Sequence, residues 1–297
     1  MISVCVIAIG DELLNGFTLD TNTQWVKEKL SKTEAVVVKS TIVPDNELLI
    51  VDELANSLMK EYDFIIISGG LGPTHDDITK KTLSDFLKLP LLYNQNYLED
   101  LKKRFGYSSQ SSTNDIKKRR EMIFSQALIL DKFTPIYNKL GTALGMLGKQ
   151  NNSTIIVLPG VPKEFKQMFQ DNIIPCYIPY SKVDPVVTLK TIGITESKLY
   201  IMLESIISRS EGKYKFSFLP HFSGVNIRIS KLNNSSMNNE FILSLKNKLG
   251  IYYYGQNNDT LDSILSQLLI KKNIKISLAE SCTGGLLSKK LTDLSGS

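Results

Sequence analysis

Three short runs constrain the fold more than any other feature of this chain. Ser3–Ile9, Asp63–Ser68 and Ser153–Leu158 are apolar almost throughout rather than alternating, and each gives way to a glycine-bearing turn. An apolar run of this kind marks a strand buried on both faces, which requires a sheet covered by helices on each side. The intervening segments supply such helices. Thr21–Leu30 is amphipathic, with Asp20 or Thr21 available as its cap, and Glu47–Tyr62 follows the turn and cap pair Pro44-Asp45. Ala35–Val43 is rich in β-branched residues and reads as a further strand. Helices are expected from Asp76 or Asp77 to about Leu87, near Asn96–Phe105, over Asn114–Phe124 and from Lys163 onward. The alternation predicts an α/β fold for residues 1–170: three layers around a mostly parallel sheet.

A different pattern starts near Pro185. Val186–Ile192 reads as a strand, Glu196–Ser208 as a helix, and Lys215–Leu219 and Val225–Leu232 as strands around a Pro220–Gly224 turn. Met237–Leu249 is helical and Ile251–Tyr254 extended, so residues 171–255 have the βαββαβ order of a small α+β sandwich. Phe216, Phe218 and Phe222 are expected in its core rather than on a platform for bases. A third start follows, with helix Asp259–Lys272, strand Ile274–Leu278, a glycine loop and helix Gly285–Leu294. One strand and two helices cannot enclose a core, so residues 256–297 read as an incomplete α/β unit.

The 297 residues suit two or three domains, and 42% hydrophobic with 22% charged residues excludes disorder or a coiled coil as the main state. No apolar run approaches the ~18–20 residues of a membrane span. Ile2–Ile9 has neither a basic flank nor a small-residue cleavage site, so it is not read as a signal peptide. Cys5, Cys176 and Cys282 are scattered without metal-ligand spacing, which points to a reduced, cytoplasmic setting. The net charge is +5, and the basic runs Lys102–Arg104 and Lys117–Arg120 sit in helical patterns as solvated faces rather than a nucleic-acid patch.

Ligands of an open parallel sheet gather beyond the C-terminal strand ends. Three loops start there. In Gly10-Asp11-Glu12-Leu13-Leu14, two carboxylates just after a buried strand can cap a helix or hold a cation. In Gly69–Asp77, the backbone N–H groups around Gly69, Gly70, Gly72 and Thr74 can approach a phosphate, while Asp76 and Asp77 can cap the next helix or coordinate Mg²⁺. His75 can act there as a base or as a loop hydrogen-bonder. In Pro159-Gly160-Val161-Pro162-Lys163-Glu164, Lys163 can neutralise phosphate and Glu164 assist a metal or water. Gly141–Gly145 is a further small-residue segment that lets a ligand near the backbone.

These residues carry a resemblance. Gly10-Asp11-Glu12-Leu13-Leu14 with Asp20-Thr21-Asn22, Ser68-Gly69-Gly70-Leu71-Gly72-Pro73-Thr74-His75-Asp76-Asp77, and Leu158–Glu164 resemble the CinA family. The Gly-Gly-x-Gly and Pro-Gly-x-Pro turns are shared with molybdopterin-binding domains, to which the first domain is similar; the second is similar to the family's KH-like middle domain. The resemblance implies metal-dependent cleavage of ADP-ribose into AMP and ribose 5-phosphate. Asp11, Glu12, Asp76 and Asp77 then become metal ligands, Asp76, Asp77 and Glu164 catalytic candidates, and Gly69, Gly70, Gly72, Thr74, Gly141, Gly160 and Lys163 the phosphate or nucleotide contacts. It further implies a divalent metal (Mg, Mn or Co) with K⁺, a nucleotide or pyrophosphate substrate, and a homodimer. The alternative is a module that binds molybdopterin or a nucleotide without turnover. Nucleic acid is disfavoured, because the middle domain has no Gly-x-x-Gly clamp.

Ala279-Glu280-Ser281-Cys282-Thr283-Gly284-Gly285 resembles the start of the family's C-terminal nicotinamide-nucleotide amidase domain, which makes Ser281 the implied nucleophile. Read physically, the turn offers the N–H groups of Thr283–Gly285 to an anion; Cys282 is a rival nucleophile, with no His nearby to activate it. The family's domain continues well beyond this point, so no meaningful amidase activity is expected of the chain as given.

Overall fold

The computed structural model describes residues 2–31, 33–104, 114–180, 186–232 and 237–294, with the side chains of the helix at 114–125 described from 120 onward. The chain forms two compact units, Met1–Ser181 and Lys182–Ser297. In chain order the first contains β1 (Ile2–Ile9), α1 (Asp11–Leu14), α2 (Thr21–Leu30), β2 (Ala35–Val43), α3 (Glu47–Met59), β3 (Phe64–Ser68) and α4 (Thr79–Leu87). It continues with β4 (Leu91–Tyr93), α5 (Gln95–Arg104), α6 (Asn114–Ser125), β5 (Leu128–Leu130), β6 (Thr134–Ile136), β7 (Gly145–Gln150) and β8 (Ser153–Leu158). A last helical run, α7 (Pro162–Met168), a π turn (Phe169–Ile173) and α8 (Ile174–Tyr177), carries Ile173, Ile174 and Ile178 into this unit's core.

The sheet order is β2-β1-β3-β8-β7-β6. β2, β1, β3 and β8 are parallel, and β7 and β6 extend the edge antiparallel. Alternation sorts the central strands between two cores. Cys5, Ile7, Ile65, Ile67, Ile155 and Val157 pack against α3, α4 and α5, while Val4, Val6, Phe64, Ile66, Ile156 and Leu158 pack against α2 and α7. Both faces are thus apolar, and that explains why the sequence runs of β1, β3 and β8 show no polar alternation. Four strands had no clear signal. β4, β5 and β6 span three residues each, and β7 contains Gly145 and Gly148. A Cβ on Gly148 would lie 2.4 Å from the Phe133 ring, so packing requires the glycine that weakens the strand signature.

The second unit runs β9 (Val186–Thr191), α9 (Glu196–Arg209), β10 (Tyr214–His221), β11 (Gly224–Lys231), α10 (Asn239–Leu249), a 3₁₀ turn, β12 (Tyr253–Gln256), α11 (Leu261–Lys272) and α12 (Leu286–Thr292). Its antiparallel sheet, β10-β11-β9-β12, buries Leu189, Val225, Ile227 and Ile229 under α9 and α10. Phe216 and Phe218 pack against that core as expected. Phe222 does not; it stands fully exposed at the hairpin between β10 and β11, where no second layer reaches the turn.

The expected strand Ile274–Leu278 is absent. Residues 274–280 pair with no strand among the described residues, and Ile274, Ile276 and Leu278 are all exposed. An extended segment becomes a strand only through its ladder, so apolar composition alone does not suffice. No helix among the described residues is long and apolar enough to cross a membrane.

Candidate functional site

The parallel topology brings the ends of β2, β1, β3 and β8 to one edge of the first sheet. Gly10 follows β1, and its N–H donates to Val43 O at the end of β2. Gly69 follows β3, and its N–H donates to Leu158 O at the end of β8. The strand ends are close-packed there. A Cβ on Gly69, whose φ is +113°, would sit 2.2 Å from Ile9 O, and one on Gly160 would lie 3.4 Å from the Gly69 Cα. Glycine is required at 69 for both space and backbone conformation.

Two asparagines tie these loops together. Asn22, in the first turn of α2 and buried, donates through Nδ2 to Gly160 O at 2.7 Å and to Ser68 Oγ at 3.1 Å. It anchors α2, capped by Asp20 through Thr23 N, to the ends of β3 and β8. Asn138 is buried as well. Its Oδ1 accepts from the N–H groups of Leu140 and Gly141, and its Nδ2 donates to Ala143 O and, at 2.6 Å, to Glu164 Oε2. Sequence reasoning singled out Gly141 and Glu164 but not the asparagine that joins them. Nor did it single out Thr79, whose Oγ1 donates to Gly69 O and whose N–H donates to Gly70 O, closing the Gly69–Asp77 loop.

The predicted roles of the acidic residues divide. Asp77 does not cap α4. Its carboxylate accepts from Gly72 N at 2.7 Å, Thr74 N at 3.0 Å and the Thr74 hydroxyl at 2.5 Å, so it fills the turn that Gly72 and Thr74 were expected to offer a phosphate. α4 starts instead at Thr79, with Ile78 at its cap position and no side-chain cap. The N–H groups of Gly70, Leu71 and Gly160 make no hydrogen bond among the described residues. Lys163 is exposed, and so is His75.

The other carboxylates gather on the β1–β2 side. Asp11 N–H donates to Asp45 Oδ2 at 3.0 Å, and Asp45 N–H to Asp11 Oδ1 at 3.3 Å. Burial raises the Asp45 carboxyl above the ordinary value, and the negative charges of Asp11, Glu12 and Asp76 raise it further. Asp45 was read only as part of a turn and cap pair; the cap of α3 is Asn46, which accepts from Leu49 N, and Asp45 turns to Asp11 instead. Asp76 is fully exposed, and the Thr74 hydroxyl holds its carboxyl below the usual range. Among the described residues no three His, Cys, Asp or Glu side chains converge to hold a metal ion, so Asp11, Glu12, Asp76 and Asp77 do not form a preassembled ligand set. Mg²⁺ is commonly held by one or two carboxylates together with substrate phosphates rather than by an all-protein cage. Asp11, Glu12, Asp45 and Asp76 are the carboxylates that could hold an ion of that kind.

One cation nearby is spent on structure. Lys80, in the first turn of α4, is buried and donates to Gln126 O at 3.1 Å; burial brings its ammonium down to about 7, against an opposing pull from Asp77.

The turn at Ser281 differs. Glu280 accepts from the N–H groups of Leu287 and Ser288 and from the hydroxyls of Thr283 and Ser288, which drives its carboxyl down to about 2. Gly284 N–H donates to Ser281 O. The start of α12 is therefore occupied by the protein's own carboxylate. The Ser281 hydroxyl makes no hydrogen bond among the described residues, and Cys282 is exposed.

A mostly parallel sheet whose strand-end loops carry Gly-Gly-x-Gly and Pro-Gly-x-Pro defines the class: residues 5–177 match the family described as "Probable molybdopterin binding domain". Residues 187–255 match the CinA KH domain and residues 258–297 the CinA C-terminal domain. The chain belongs to the CinA family. It is 34% identical over 301 residues to a CinA-like protein of Amoebophilus asiaticus, covering 98% of this chain and 71% of the relative. It is 32% identical over 305 residues to a CinA-like protein of Chloroherpeton thalassium, covering 98% and 70%. A crystal structure of CinA from Thermoplasma acidophilum aligns over 57% of this chain and 94% of that one, with 30% identity and a TM-score of 0.49.

Proposed function

We propose that the first unit hydrolyses the pyrophosphate of a nucleoside-diphosphate sugar, with ADP-ribose giving AMP and ribose 5-phosphate. The observation that carries this reading is that Asp11, Glu12 and Asp76 all act on the Asp45 carboxyl, at the strand-end edge that also carries the unengaged N–H groups of Gly70, Leu71 and Gly160. A site that only held an anion would gain nothing from four carboxylates at its edge. A site for an anion and its cation gains from both. When bound, a divalent ion (Mg, Mn or Co, with K⁺ as a second cation) neutralises charge on the two phosphates. The chain's own part is to present N–H donors and the Lys163 ammonium to the phosphate oxygens, and to keep Asp11 and Asp45 in place through their reciprocal backbone bonds. The Ser281 turn is assigned no part in this reaction: among the described residues the Ser281 hydroxyl makes no hydrogen bond to an activating base.

The test is incubation with ADP-ribose and each divalent metal, with and without K⁺, followed by AMP detection. AMP formation that falls about 100-fold or more in Asp76→Ala supports the reading. A second reading, binding without turnover, draws on the absence of a preassembled three-ligand metal site among the described residues. Saturable ADP-ribose binding with no AMP under any metal would establish it instead.

A further inference from the structure

We infer that Asn138 and Gly141 form a clamp that holds Glu164 as the carboxylate accepting a proton from the attacking water; this rests on the hydrolytic reading above. Glu164 is the third residue of α7, the position from which the glutamate of a capping box folds back onto the backbone at the start of its own helix. Here it does not. Its Oε2 accepts instead from Asn138 Nδ2 at 2.6 Å, on a loop 26 residues earlier in the chain.

That loop is built to keep the donor fixed. Asn138 is 2% exposed, and both of its amide atoms are committed, Oδ1 to Leu140 N at 3.1 Å and Gly141 N at 2.7 Å, Nδ2 to Ala143 O and Glu164. Because Oδ1 faces two N–H groups and Nδ2 faces a carbonyl and a carboxylate, only one orientation of the amide satisfies all four. Tyr97, fully buried, donates to both Asn138 O and Thr142 O and so pins the loop from beneath. Gly141 supplies the space. A Cβ there would fall 2.3 Å from the Glu164 Cδ and 2.3 and 2.4 Å from its two oxygens. Its φ lies outside the left-handed range, so the backbone does not need glycine; the carboxylate does.

The result is a half-buried carboxylate with one oxygen tethered and Oε1 making no hydrogen bond among the described residues, on the helix that follows Gly160. It stands on the β8 side of the strand-end edge, whereas Asp11 and Asp45 stand on the β1–β2 side. In the proposed step a water oxygen forms a bond to one phosphorus while its O–H bond breaks and the proton passes to Oε1. The bond from that phosphorus to the bridging oxygen breaks, and its electron pair leaves with the second phosphate. The proton on Glu164 then returns to solvent, so water and ADP-ribose balance AMP and ribose 5-phosphate. A positioned base of this kind is worth roughly 10² to 10⁴ in rate.

The experiment compares steady-state ADP-ribose hydrolysis in the full chain with that in Glu164→Ala, Asn138→Asp and Gly141→Ala. Asn138→Asp keeps the acceptor for Leu140 and Gly141 but turns the tether into a like charge; Gly141→Ala leaves the Asn138 bonds to Leu140, Gly141 and Ala143 intact and displaces the carboxylate. In both, kcat is expected to fall at least tenfold with KM within a factor of two or three, and added formate is expected to restore part of the rate in Glu164→Ala. Far-ultraviolet circular dichroism checks that each variant is folded. Folded Asn138→Asp and Gly141→Ala with wild-type kcat, or a Glu164→Ala rate indifferent to formate, would overturn the clamp while leaving the hydrolase in place. No AMP from the wild-type chain would overturn both.

Discussion

Two turns in this protein read alike and behave differently. Gly69–Asp77 and Ala279–Gly285 both place glycines and hydroxyls between an apolar run and a helix, and in both a carboxylate of the turn takes up backbone donors, Asp77 those of Gly72 and Thr74 and Glu280 those of Leu287 and Ser288 in the first turn of α12. The first is mounted on β3, hydrogen-bonded to β1 on one side and β8 on the other, with all five strand residues buried. Neighbouring strand ends therefore bring it further donors, the carboxylates of Asp11, Glu12 and Asp45, and the Asn22 tie. The second follows an extended run from Ile274 that pairs with no strand among the described residues, and a Cβ on Gly284 or Gly285 would meet nothing within 4 Å. A glycine turn gains a site's chemistry from the strands that surround it.

The largest contrast is expected from the strands themselves. Ile66→Ala, which opens a cavity at a fully buried position, should cost about 4 kcal/mol of unfolding free energy, whereas Ile276→Ala at a half-exposed position should stay within about 0.5 kcal/mol. Urea denaturation followed by circular dichroism reads both. Next come the glycines. Gly69→Ala forces a Cβ against Ile9 O and should cost about 3 kcal/mol, while Gly284→Ala, at φ +57° in open space, should cost about 1 kcal/mol for the backbone alone. Equal losses would break the comparison.

Acid and base should act on the two regions in opposite windows. Unfolded chains hold the Lys80 proton up to the ordinary 10.5, whereas the folded chain releases it near 7. The unfolded state therefore binds more protons between those values, and stability of the first unit should rise with pH across that range and flatten in Lys80→Met. Glu280 stays ionised to about 2 when folded, against 4.5 when unfolded. The cap on α12 is thus complete above 4.5 and lost as pH falls toward 2. Amide exchange at Leu287 and Ser288 reads that loss, the smallest of these effects, and Glu280→Gln should show it already at neutral pH.

What the sequence made legible follows the same line. β1, β3 and β8 were plain because burial on both faces leaves an uninterrupted apolar run, and the βαββαβ order of the second unit was plain because each element has its own period. β4, β5 and β6 were too short to register, and β7 was hidden by a glycine that Phe133 requires. At the site, the glycines and acids stood out by type, but their partners did not. Asn138, Asp45 and Thr79 carry no special spacing, and only the fold brings Asn138 to Glu164 and Asp45 to Asp11. Asp77 was visible, but its closure of the turn through Gly72 and Thr74, in place of a cap on α4, comes from loop geometry that residue type does not encode.

The central claim is that the strand-end edge of the first unit, and not the turn at Ser281, receives the phosphorylated ligand. Backbone amide NMR during titration with ADP-ribose and Mg²⁺ tests it directly. The account predicts saturable shifts at Gly70, Leu71 and Gly160 with Ser281–Gly285 unmoved. Shifts confined to Ser281–Gly285, with the first unit silent, would contradict it.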